Sequence, residues 1–302
     1  MRRIYTNSQL EALRRYLEAK NWPLITSAGA HLLIYEGPLD DMHCPIRFGL
    51  PASAEFEDTS WYVSKILDML SAIEDRPARD LEEAIMHPGS DFLRMCMIPP
   101  VPTSTVPLRM IKYFADLMFD SACLEEDAYP SFKGRTNRGE EMLEKCRFSQ
   151  PCAERFDWSL EVPISPASLD DATQIPFERR VMLRIARGLL SIRRAVQGEN
   201  VAHLTNDQRQ GFNPKLHETM RGLLRSAENA QLEFSFVWGS EYALPQELNG
   251  MPALRFVPDL VLPFLESATQ SLHMWRDPTR QVPDIQINVI GLPRQKESRV
   301  AK

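Results

Sequence analysis

The sequence is short of the residues that build special scaffolds. Glycine numbers only 13 among 302 residues, which excludes collagen-like repeats and glycine-rich linkers. Cysteine numbers five, an odd count with no C-x-x-C pair, which fits reduced thiols better than a disulfide framework. Long apolar runs are missing. The best candidate, Val106 to Leu124, carries Arg109, Lys112, Asp116 and Asp120 and is costly to place in a bilayer. The start, Met1-Arg2-Arg3-Ile4-Tyr5, is basic but lacks the apolar core of a signal peptide. Together these absences lead to the expectation of a soluble, cytoplasmic protein.

Catalytic signatures are missing as well. There is no G-x-S-x-G elbow, no dinucleotide fingerprint and no H-E-x-x-H, since His217-Glu218 has no second histidine. The six histidines are scattered without i, i+4 spacing, so no zinc set is assigned. Asp40-Asp41 is not followed by a Glu-x-Lys at the distance a carboxylate–lysine nuclease site needs. No catalytic residue and no cofactor is assigned.

What is present is an ordinary globular composition, 43% hydrophobic and 25% charged, in a chain long enough for one large domain or two. Apolar periodicity predicts eight helices, at about 8–20, 61–74, 78–87, 108–127, 137–147, 177–196, 214–229 and 259–275. Ser8 with Glu11, and Asn137 with Glu140, read as capping boxes. Seven short strands are expected, at 31–36, 46–50, 91–98, 156–164, 231–238, 254–257 and 284–290. Ser165–Ile175 reads as a linker and the end, 293–302, as a polar, basic tail. The fold expected is a helix-rich α+β protein with two small sheets, two lobes around a helical middle. The lobes would be an acidic 1–165 and a 166–302 that opens with an arginine-rich helix; the same order also suits a single domain. Most tryptophans sit on apolar faces and should anchor the core.

Charge is the most uneven feature. From Glu36 to Asp127 there are 18 Asp and Glu against 7 Lys and Arg, a net of −11. From Glu178 to Arg225 there are 10 Lys and Arg against 4 Asp and Glu, a net of +6. In the helix 177–196, Val181, Ile185, Leu189, Ile192 and Val196 form one side. Arg179, Arg180, Arg184, Arg187 and Arg194 fall within roughly 140° on the other. Guanidinium suits bidentate contact with phosphate or carboxylate, so Arg180, Arg184, Arg187 and Arg194 are candidates for holding a polyanion. The alternative for the same face is neutralisation by the chain's own acidic segment. A second candidate is the basic loop with Lys133, Arg135 and Arg138, where free N–H groups at a helix start attract phosphate. It lacks the G-x-x-x-x-G-K-[ST] spacing. Glu125, Glu126 and Asp127 could hold a divalent cation beside Arg135 and Arg138.

Pro176-Phe177-Glu178-Arg179-Arg180-Val181, with Ile185-Ala186-Arg187-Gly188-Leu189, resembles a stretch of bacterial proteins of similar size without an established activity. The resemblance implies a bacterial source and carries over no functional residue. Against those proteins the C-terminus looks abruptly ended, and the expectation is a β-rich C-terminal module that is missing or natively absent. The function expected is a non-catalytic binding or accessory protein. It would present the arginine face to a nucleic-acid backbone or an acidic protein surface. A metal-dependent phosphodiesterase or nuclease, and a structural subunit of a larger assembly, are the competing expectations.

Overall fold

The computed structural model describes residues 5–28, 31–98, 107–128, 137–149, 157–165, 175–198, 214–239, 242 and 244–275. Among them lie eight helices and eight strands in two sheets, an α+β arrangement. All eight helices expected from periodicity are present. The strand expected at 284–290, most of the linker and the C-terminal tail lie outside the described residues.

Helices α1 (Asn7–Ala19), α2 (Thr59–Glu74) and α3 (Ala78–Met86) pack with a three-stranded antiparallel sheet. Its strands are β1 (Leu24–Ala28), β2 (Leu32–Leu39) and β3 (Pro45–Pro51), in the order β1-β2-β3. Leu10, Leu13, Tyr16 and Leu17 form the buried stripe of α1, as their spacing requires. The helix starts two residues earlier than the Ser8–Glu11 pairing suggested. Thr6 is the N-cap: Gln9 N–H donates to its hydroxyl at 3.3 Å, and Gln9 Oε1 accepts from Thr6 N–H at 2.9 Å. Trp22 is buried against Phe48, whereas Trp61 is 58% exposed and no core anchor.

The second sheet has five antiparallel strands in the order β5-β6-β4-β7-β8. These are β4 (Ser90–Ile98), β5 (Arg147–Ser149), β6 (Asp157–Pro163), β7 (Gln231–Val237) and β8 (Leu254–Phe256). The sheet thus draws strands from both sides of the 165/166 boundary expected from the linker. Alternation gives it two different faces. Leu93, Met95, Met97, Trp158, Leu160, Leu232 and Phe234 point into the main core. Helices α4 (Leu108–Ala128), α6 (Phe177–Val196), α7 (Pro214–Ser226) and α8 (Pro258–Trp275) cover that face. Arg94, Cys96, Ser159, Glu161, Glu233 and Ser235 lie on the opposite register, making a polar face that α3 partly covers. Helix α5 (Arg138–Lys145) packs on α4. No described helix is long and apolar enough to cross a membrane.

Candidate functional site

The first half of helix α6 is internal rather than a surface. Of its residues, Phe177 through Ala186 are all buried, arginines included. Its ion partners come from the acidic part of the chain. Glu125, at the end of α4 and 3% exposed, takes two guanidiniums at once. Arg180 Nε lies 2.9 Å from Oε1, while Arg184 Nε and Nη2 lie 2.8 and 2.7 Å from Oε2. Arg180 Nη1 also donates to Ile175 O at 2.8 Å. Glu178, buried in the first turn, accepts from the Ser165 hydroxyl at 2.8 Å.

One residue earlier, Arg179 meets Asp91 of β4; both are buried, at 1% and 0% exposure. Arg179 Nε lies 3.0 Å from Asp91 Oδ2, an ion-pair contact without the alignment of a hydrogen bond. Arg179 Nη2 donates to Gly239 O, and Gly239 N–H donates to Asp91 Oδ1, both at 2.9 Å. Burial pushes the Asp91 carboxyl up to about 7, against the opposing pull of Arg179 and the Gly239 amide. Burial likewise lowers Arg179. Gly239 has no room for a side chain, because a Cβ there would sit 2.5 Å from Pro88 O and 2.7 Å from Ser90 O. The guanidinium rests against Trp238 and Tyr242, 5.4 and 5.8 Å from their ring centroids.

These contacts correct the expectation of a cationic face open to a polyanion. Arg180 and Arg184 are enclosed and share the carboxylate of Glu125. Arg187 is half-buried and pairs with Glu247 at 2.8 Å, which holds that carboxyl below its ordinary range. Arg194 is exposed at the far end of the helix. Lys133 and Arg135 lie outside the described residues, as does the side chain of Asp127.

The two described carboxylates of the acidic cluster do not converge either. Glu125 turns inward to α6, while Glu126 Oε1 accepts from Arg138 N–H at 3.2 Å at the start of α5. There Glu126 does what a capping side chain does, and Asn137 bonds the Glu140 carboxylate instead of the backbone. Among the described residues no group of three His, Cys, Asp or Glu could hold a metal ion. His217 of α7 is 1% exposed, and burial depresses its imidazole to about 4.

The large concavity lies elsewhere. A cleft of about 1110 Å³ opens between the helices α1–α3 and the second sheet. Its floor is the polar sheet face, with Arg94 and Cys96 of β4 and Glu233 and Ser235 of β7. Arg94, 5% exposed, is gripped by Asp80 and Glu83 of α3, which ties the helix to the sheet. One wall carries Glu74, which accepts from Tyr16 Oη at 2.7 Å and Lys20 Nζ at 3.1 Å. Burial and that carboxylate raise the Tyr16 hydroxyl well above its ordinary value. The other wall is the connection from β7 to β8, with Phe236 and Trp238 stacked at 5.2 Å and 8° between planes. None of Arg138, Arg180, Arg184, Arg187 or Arg194 lines this cleft.

No family model, no curated protein and no solved structure matches the chain. Sequence reasoning missed the cleft because its lining comes from five separate segments, each unremarkable alone. The nearest signal was Phe236-x-Trp238, an alternation that sets two aromatics on one side of a strand.

Proposed function

We propose that the protein is a non-catalytic binding or accessory component that receives a protein partner in the cleft between α1–α3 and the second sheet. The observation that carries this reading is the cleft itself. Its volume of about 1110 Å³ lies above the roughly 300–1,000 Å³ usual for small-molecule pockets. Its lining combines a half-buried aromatic pair with both signs of charge. Lys20, Arg76, Arg79 and Arg94 face Glu74, Asp75, Asp80 and Glu233, so no excess of one sign selects a polyanion.

The arginines of α6 belong to the support of this site, not to its surface. Arg179 holds Gly239, whose neighbour Trp238 forms the wall, and Arg187 holds Glu247 in the connection beyond it. Strongly shifted groups mark catalytic sites when they sit in clefts. Here Asp91 and His217 lie outside the cleft lining, and the shifted group inside it, Tyr16, is raised by burial and by donating its hydroxyl to Glu74.

A photo-reactive amino acid at Asn249, exposed on the cleft rim, tests the reading in cells that naturally carry the protein. A discrete protein adduct is expected from Asn249 and none from Lys65, exposed on α2 outside the cleft. Adducts from Lys65 alone, or none from Asn249, would overturn it.

A further inference from the structure

We infer that the partner enters the cleft as an extended peptide, adding a strand to the edge of β7 at Ser235 and Phe236. This rests on the partner-binding reading above and gives its mode of recognition. β7 pairs with β4 along its whole length, from Gln231 opposite Ile98 to Val237 opposite Phe92. On its other edge, among the described residues, β8 pairs with Leu232, Glu233 and Phe234 alone.

Continued in register, Phe234↔Leu254 would place Ala253 opposite Ser235 and Pro252 opposite Phe236. The chain does not follow that path. Pro252 has no N–H to give a ladder, and Gly250, at φ +68, turns the backbone where a side chain would be strained. Ser235 and Phe236 therefore line the cleft without pairing to Pro252 and Ala253, which line it too. A strand edge facing a cleft is a template for main-chain hydrogen bonds.

The two faces of the added strand would meet different surroundings. On one, alternate side chains reach the stacked rings of Phe236 and Trp238, which suits aliphatic or aromatic residues. On the other they meet the register of Arg94 and Ser235 and the α3 wall with Arg79 and Asp80, which suits polar ones. The partner segment is accordingly an extended peptide of alternating apolar and polar residues.

The test selects ten-residue peptides from a random displayed library on the full-length chain. The binders are then synthesised with single N-methyl groups along the backbone. Binders should alternate apolar and polar residues and be blocked by Asn249→Arg on the rim. N-methylation at alternate positions should weaken them tenfold or more, with the positions between within twofold. Bound peptide should also slow amide exchange in the Ser235–Phe236 stretch. Rim-sensitive binders that tolerate N-methylation everywhere and leave those amides unprotected overturn strand addition but keep the partner cleft. A library that yields no rim-sensitive binder overturns both.

Discussion

Replacing Glu125 with Gln keeps the size of the side chain and removes its charge. In the folded protein this leaves Arg180 and Arg184, 8% and 7% exposed, facing a neutral amide. Breaking a buried pair by removing one partner costs about 3–5 kcal/mol, because the remaining charge is left uncompensated. Here one carboxylate serves two guanidiniums through contacts of 2.9, 2.8 and 2.7 Å, so a loss within that range is expected. Against a typical domain stability of about 5–15 kcal/mol, such a loss is severe. Urea unfolding followed by far-ultraviolet circular dichroism should show the midpoint fall with the slope unchanged. Glu126→Gln is the control on the neighbouring residue. It weakens the cap that Glu126 places on α5 and should cost about 1 kcal/mol or less. A triple change of Glu125, Arg180 and Arg184 to apolar residues of similar volume should recover much of the loss, since the pairing and its desolvation cost vanish together. A Glu125→Gln protein within about 0.5 kcal/mol of the parent, the usual range for surface changes, would refute the argument.

Further outcomes follow from the same geometry. Gly239→Ala should destabilise by roughly 1–3 kcal/mol, read by thermal melting, because its Cβ would meet two backbone carbonyls that cannot move as a side chain tip can. Thr6→Ala should cost about 1 kcal/mol in the same assay by removing the α1 cap. The pH profile of stability should tilt in opposite directions for two variants. His217 sits near 4 when folded, below the ordinary 6.5, so its contribution is present above pH 6.5 and is lost as pH falls toward 4. Asp91 sits near 7 when folded, above the ordinary 3.8, so the folded state holds the extra proton and this contribution is lost as pH rises toward 7. Asp91→Asn should then leave a protein that weakens as pH drops from 6.5 to 4. His217→Gln should leave one that does not weaken there, by urea midpoints taken across the window.

Most of the architecture was legible because helices advertise themselves. Leu10, Leu13 and Leu17 of α1, or Val181, Ile185 and Leu189 of α6, recur at helical spacing whatever surrounds them. The two strands that were missed are β1 and β5. β1 is five residues long with Leu24 and Ile25 half-exposed, and β5 has three residues, so neither carries a readable alternation. The orientation of α6 was not legible for a different reason. A row of arginines reads as a surface when its partner is distant, and Glu125 stands 55 and 59 positions from Arg180 and Arg184. The opposed charges of segments 36–127 and 178–225 held the clue, since each could neutralise the other inside one fold. The capping assignment at α5 failed because the anion that serves its first turn, Glu126, comes from the preceding helix.

Hydrogen exchange by mass spectrometry on the intact chain tests the placement of α6 most directly, since everything proposed for the cleft depends on that helix being internal. Its amides from Val181 to Ile192 should exchange only through global unfolding and rank with β4 as the most protected in the protein. Exchange of α6 through local opening, at the rate of helices with a free outer face such as α2, would contradict the account and return the arginines to the surface.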